Sequence, residues 1–147
     1  MSEIVTVSLK QDQDFRFAIH FGEAMSVLIG DEPPPLGQGA GPSPSQLLAA
    51  AVGNCLSDSL LFALRKFKQK PEPIQTAVTA TIGRNTENRL RVQNINVKLN
   101  LGAPRTQLEH LDRALGQFEE FCTVSQSVRQ GIPIAVEVYD SLGERLK

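Results

Sequence analysis

Apolar and polar positions along this chain follow two periods, and the longest regular stretch lies in the middle. From Leu47 to Leu64 almost every side chain is apolar or small, the exceptions being Gly53, Asn54, Ser57, Asp58 and Ser59. Leu47, Ala51, Cys55, Ser59 and Phe62 recur at helical spacing, as do Leu48, Val52, Leu56, Leu60, Ala63 and Phe67. Two apolar stripes predict a helix covered around most of its circumference. Ser43 or Ser45 can cap its start, and Pro44 is tolerated in a first turn. Arg65, Lys66, Lys68 and Lys70 complement the dipole at its far end, and Pro71 forbids continuation. At ~1.5 Å per residue, a helix reaching about Lys70 is a rod of roughly 37 Å.

On either side the period changes to two. Ile4 to Lys10 alternates and predicts a first strand. After a polar turn at Gln11–Asp14, Phe15, Phe17, Ile19 and Phe21 alternate with Arg16, Ala18 and His20 in a second. Met25 to Ile29 is a third. Gly30 to Pro44 is too rich in Pro and Gly for regular structure and is expected to be a mobile surface loop or a crossover. Beyond the helix, Ile74–Arg84 and Leu90–Leu101 predict a hairpin about Asn85–Asn88. A slip in the alternation between Val92 and Ile95 places a bulge near Gln93–Asn94. Leu108, Leu111, Leu115 and Phe118 form one face of a second helix after Pro104. Thr123–Val128 restarts a short helix, and Pro133–Tyr139 is a final strand. Two hairpins with short connections argue for an α+β domain with mainly antiparallel sheet. No repeat or linker divides the chain, so residues 1–147 are expected to form a single domain.

Composition narrows the function classes. A net charge of −1 among 147 residues supplies no general attraction to nucleic acid or anionic lipid. The central helix has the length of a membrane span, but Asn54 and Asp58 at its middle make insertion costly, so no membrane partner is expected. The opening Met1-Ser-Glu-Ile-Val lacks the segments of a signal peptide, so a cytoplasmic location is expected.

The candidate chemistry is sulfur. Cys55 and Cys122 are either a dithiol, in which one thiolate meets an oxidant and the other resolves it, or two unrelated core thiols. Burial in a helix raises a thiol pKa, so a reactive Cys55 would need a nearby cation. Cys122, just before Thr123-Val-Ser125, stands where a helix start would lower its own. Arg16 is a thiolate partner or a solvent-facing charge, and Asp58 a polar core contact or a proton acceptor. His20 and His110 lack the company of a metal site. Gly37-Gln-Gly-Ala-Gly41 lacks the Lys-Ser/Thr ending of a phosphate loop, and Arg84, Arg89 and Arg91 lack interleaved aromatics.

Asp31-Glu-Pro, then Gly-Pro-Ser-Pro-Ser-Gln-Leu-Leu-Ala-Ala-Ala-Val-Gly-Asn-Cys55, and later Phe121-Cys122-Thr-Val-Ser125, resemble the OsmC/Ohr family over nearly the whole chain. The resemblance implies an OsmC-like fold, with antiparallel sheets around a long buried central helix in an intertwined homodimer. It further implies a peroxidase that reduces organic hydroperoxides with a dithiol reductant and needs no cofactor. Cys55 would be the attacking thiol, Cys122 the resolving one, and Arg16 the positional choice for an arginine beside the thiolate. Enzymes of the family place a Glu in the first turn of the central helix, where this chain has Ser45 and Gln46. The alternatives are a non-catalytic dimer of this fold that binds a small molecule or lipid, and a redox sensor.

Overall fold

The structure is a computed structural model describing residues Met1–Lys147. In chain order it runs β1 (Ser8–Gln13), β2 (Arg16–His20), β3 (Leu28–Gly30), α1 (Pro44–Lys66), β4 (Gln75–Arg84), β5 (Leu90–Asn100), α2 (Leu111–Gln117), α3 (Thr123–Val128) and β6 (Ile134–Tyr139). Short 3-10 turns precede α2 and join it to α3. The chain forms two compact units, Met1–Leu47 and Leu48–Lys147.

The N-terminal unit is a three-stranded antiparallel sheet in the order β1-β2-β3. Its first strand starts four residues later than the alternation of Ile4–Lys10 predicts and absorbs the expected turn. The reversal falls instead at Asp14, whose φ of 51° suits an Asp. The Pro- and Gly-rich connection is tied by backbone bonds to one side chain. The Asp31 carboxylate is buried and accepts the backbone N–H groups of Glu32 (2.8 Å), Gln38 (3.2 Å) and Ala40 (3.0 Å). Those bonds, Ala40's foremost, hold its carboxyl below the usual value, and the Arg16 charge adds to them. Gly37 and Gly41 let the loop close on itself, because a Cβ on either would overlap backbone carbonyl oxygens.

The C-terminal unit carries the sheet β4-β5-β6. The β4–β5 hairpin skips Gln93, which is the predicted bulge. The pairings are antiparallel, as expected, except that β6 lies parallel to β5. The intervening α2–α3 segment supplies the crossover that a parallel pair requires. Val52, Leu56, Leu60 and Leu64 of α1 pack with Ile95, Val97 and Leu99 of β5, Val138 of β6 and Phe118 in one apolar core. α1 approaches β4 closely at Gly53, where a Cβ would meet Val78 at 2.5 Å. The Ser57 hydroxyl donates to the Gly53 carbonyl and meets the Thr76 hydroxyl alongside.

Within one chain α1 is covered along one stripe and not around most of its girth. Ala51, Asn54, Asp58 and Phe62 are exposed, Phe62 by 73%. The second apolar stripe is thus only partly covered in this chain: Leu47, Cys55 and Ser59 are half-buried, while Ala51 and Phe62 are open. Asp58 is no core contact: it accepts a hydrogen bond from Asn54 at 3.1 Å on the open face. The helix ends at Lys66, four residues before the predicted limit, where Lys68 turns left-handed at φ 60°.

Candidate functional site

Cys55 sits at the middle of α1, half-buried, at the edge of its covered stripe. Cys122 follows the 3-10 turn Phe118–Phe121 and precedes α3, with its side chain fully buried. An extended backbone at Cys122 (φ −82°, ψ 99°) turns the chain between the two helical segments. Both thiols are free, and the Cys122 thiol is near enough to Cys55 to push its pKa up.

The backbone N–H groups of Val124 and Ser125, at the start of α3, act on the Cys55 thiol and favour its ionised form. Burial pushes the Cys55 thiol up, the Cys122 thiol pushes it further, and these two amides pull against both. Burial and the second sulfur win, so the thiol lies above its ordinary value. The site therefore keeps Cys55 protonated at rest, while the start of α3 favours the charge that appears on ionisation.

Arg16 belongs to the N-terminal unit, where its Nε donates to Asp12 at 2.7 Å and its charge is felt by Asp31. Gln46 has a local task. Its Oε1 accepts the Ser43 N–H at 2.9 Å, while Ser43 Oγ accepts the Gln46 N–H at 3.2 Å. This reciprocal pair is a capping box that starts α1, and the first turn holds no acidic side chain. His110 stacks on Phe67 with ring centres 5.1 Å apart, and His20 is exposed on β2. No three His, Cys, Asp or Glu side chains gather to hold a metal ion.

A groove of about 450 Å³ that neither cysteine lines opens between Asp58, Ser59, Phe62 and Lys66 of α1, with Phe67, and Phe118 and Phe121 of the turn before Cys122. Ser59 lies one helical turn beyond Cys55, and Phe121 immediately precedes Cys122, so the apolar walls continue from the residues that carry the thiols. Sequence reasoning missed this groove because Phe62 read as a core residue. Its signal was present all the same, in the stripe Cys55, Ser59, Phe62. The C-terminal unit thus carries a half-buried thiol, a second thiol near it, and, one helical turn along α1, a mostly apolar groove.

The chain matches the family described as OsmC-like protein over residues 37–137. No curated protein matches it in sequence. Among solved structures, an OsmC-like protein of unknown function from Vibrio cholerae superposes with a TM-score of 0.77 at 17% identity, covering 94% of this chain and 99% of the other. An organic hydroperoxide resistance protein from Elizabethkingia anophelis gives 0.74 at 16% identity, over 96% and 100% of the two chains. The organic hydroperoxide resistance protein OhrB of Bacillus subtilis gives 0.67 at 14%, over 92% and 98%. At such identities the likeness is one of fold.

Proposed function

The chain belongs to the OsmC family, and from the sulfur pair set in that fold we propose that it is a thiol-dependent peroxidase acting on organic hydroperoxides. One observation carries the reading: the thiol of Cys122, which opens α3, lies close enough to the Cys55 thiol of α1 to shift its ionisation. The Cys55 thiolate attacks the outer oxygen of R–O–O–H. The O–O bond breaks, the alkoxide takes a proton and leaves as the alcohol, and Cys55 becomes a sulfenic acid. Cys122 then attacks the Cys55 sulfur, the S–O bond breaks, and hydroxide leaves as water with the Cys122 proton. An external dithiol reduces the disulfide by exchange and is itself oxidised to a disulfide. A reducing compartment such as the cytoplasm supplies dithiols of this class and keeps both cysteines free. Solved relatives described as organic hydroperoxide resistance proteins support the substrate class.

The working form on this reading is a homodimer. The uncovered stripe of α1 and the exposed Leu9, Phe15 and Phe17 of the N-terminal unit are faces that a second copy would bury. A second reading, a non-catalytic dimer that binds an apolar small molecule, is favoured by the raised Cys55 thiol and the Phe-lined groove.

The deciding experiment treats reduced protein with one equivalent of tert-butyl hydroperoxide. Both thiols should be consumed and a single Cys55–Cys122 bond formed, at a rate that rises with pH as the elevated Cys55 thiol ionises. Cys55→Ser should abolish turnover, and Cys122→Ser should leave a sulfenic acid at Cys55. Two free thiols after exposure to the peroxide would leave the binding module standing and remove the peroxidase.

A further inference from the structure

Disulfide closure needs Cys122 aimed at a sulfur on another element, so whatever fixes the segment around Cys122 governs that step. The segment hangs on one residue. Glu119 sits three positions before Cys122, and its backbone carbonyl accepts the Cys122 N–H at 3.2 Å and the Gln126 side-chain amide at 3.0 Å. Its carboxylate is only 19% exposed and meets two cations, Arg129 Nη2 at 3.2 Å and Lys147 Nζ at 2.5 Å. Arg129 lies immediately after α3. The Glu119–Arg129 pair therefore ties together the two ends of the segment that contains Cys122, Val124 and Ser125.

Lys147 anchors this closed segment to the rest of the unit. Its ammonium also donates to the Leu115 carbonyl at 2.8 Å and lies 5.2 Å from the centre of the Phe118 ring. Its own backbone exchanges hydrogen bonds with Val138 of β6. One residue thus connects the sheet, through its backbone, with α2 and the turn that leads into Cys122, through its side chain. Exposed ion pairs are worth little singly. A shared carboxylate with two cations, a carbonyl and a ring face in fixed geometry is a stiffer device.

We infer that Glu119, clasped by Arg129 and Lys147, is the positioning residue for the resolving thiol and sets how fast Cys122 closes the disulfide; the inference rests on the peroxidase reading above. Neither Glu119 nor Lys147 touches the reacting sulfurs. The clasp acts through the backbone that carries Cys122 and, two and three residues on, the amides that favour the ionised Cys55.

Lys147→Ala, Lys147→Arg and Glu119→Gln are compared with the wild type, each as full-length reduced protein mixed with one equivalent of tert-butyl hydroperoxide and dimedone. In the wild type the disulfide outruns the trap. In Lys147→Ala and Glu119→Gln closure slows on the order of tenfold, as a displaced attacking group should, and a dimedone adduct appears on Cys55. The pH profile of the first, peroxide-consuming step moves upward in both, because the Val124 and Ser125 amides loosen with the same segment. Lys147→Arg restores closure. Melting curves identify a variant that has lost its fold, and Glu119→Gln, which keeps size and shape, then carries the test. Wild-type closure with no adduct in both Lys147→Ala and Glu119→Gln overturns the positioning role. A wild type that yields neither sulfenic acid nor disulfide is a different failure: it removes the peroxidase reading, and this role falls with it.

Discussion

The two units solve the problem of folding in opposite ways. The C-terminal unit buries a continuous apolar cluster from Val52 to Val138, with Phe118, Leu56 and Leu60 fully enclosed. The N-terminal unit encloses one apolar side chain, Ile19, while Leu9, Phe15, Phe17, Phe21 and Met25 stay in the open. What orders it instead is the buried Asp31 with its three backbone donors. A three-stranded sheet without a covered face is marginal by itself. Its apolar residues therefore read as a surface awaiting cover, whereas those of the other unit are already in use. The chemistry follows the same division, since both thiols and the groove lie in the unit with the core.

The sharpest way to break this contrast is to remove the core's largest member. Phe118→Ala should cost about 3–5 kcal/mol, because a fully buried ring leaves a cavity that its neighbours fill only in part. Phe118 also opens the turn into Cys122, so the variant should lose peroxide-driven disulfide formation before it loses secondary structure on warming. Denaturant titration gives the first quantity and thiol counting along the melt gives the second. A loss below 1 kcal/mol would mean that the cluster is not what holds this unit.

Next in size is the open face. Leu9 and Ile19 are directly paired across β1 and β2, and Gln11 faces Phe17, so Leu9 and Phe17 share one side of the sheet. Leu9→Lys with Phe17→Lys should leave the monomer folded and weaken the dimer by roughly 1.5–3 kcal/mol for each side chain. Light scattering at low micromolar concentration should then report 16.1 kDa where the wild type reports twice that mass. A wild-type monomer would sink the dimer; a doubly substituted dimer would move its interface elsewhere.

Smaller still is the effect of the two buried carboxylates, one in each unit. Asp140 accepts the N–H groups of Arg105, Leu142 and Glu144 as Asp31 accepts its three. Backbone bonds, led by those of Arg105 and Ala40, hold both carboxyls below the ordinary 3.8. The stability they add is thus complete above that value and is lost as pH falls through the lower folded one. Asp140→Asn should lower the melting temperature of the cored unit. Asp31→Asn turns an NH₂ group on the Gln38 and Ala40 donors, or flips to leave Glu32 in that position, and should expose residues 32–40 to proteolysis. Both differences from wild type should vanish in strong acid. A difference that persists there would belong to packing and not to charge.

How far the sequence revealed these features tracks how local their causes are. The bulge at Gln93 and the short helix after Cys122 follow from alternation and from Thr123-Val-Ser125, and both were readable. The shift of β1 to Ser8–Gln13 was not, because its polar residues are exposed on both faces and periodicity has nothing to report. The closure of the Pro- and Gly-rich loop depends on one carboxylate reaching residues seven and nine positions away, which composition cannot announce. The sulfur pair was recognisable through family motifs. The clasp of Glu119 by Lys147 was invisible, since 28 residues separate them.

The finest comparison concerns the start of α1, which lies in the N-terminal unit while Cys55 lies in the other. Gln46 closes the capping box, and its Oε1 is taken by the Ser43 N–H. Gln46→Glu keeps that acceptor, adds a negative charge where the helix dipole is positive, and should stabilise α1 by about 0.3–1 kcal/mol. It also provides a second carboxylate oxygen that the box does not use, free to pair with an arginine in bidentate or single fashion. Arg16 is at present held by Asp12 alone among side chains within bonding distance. On the peroxidase reading proposed above, a charged partner would hold an arginine that serves the thiolate more firmly, though it would also neutralise part of that arginine's field. Orientation outweighs field in a preorganised site, so the reaction with alkyl hydroperoxides should quicken by a few-fold. Stopped-flow rates for Gln46→Glu, Gln46→Ala and wild type at matched pH separate the two roles. A gain in melting temperature with no gain in rate would assign position 46 to the helix cap only and leave the arginine to Asp12.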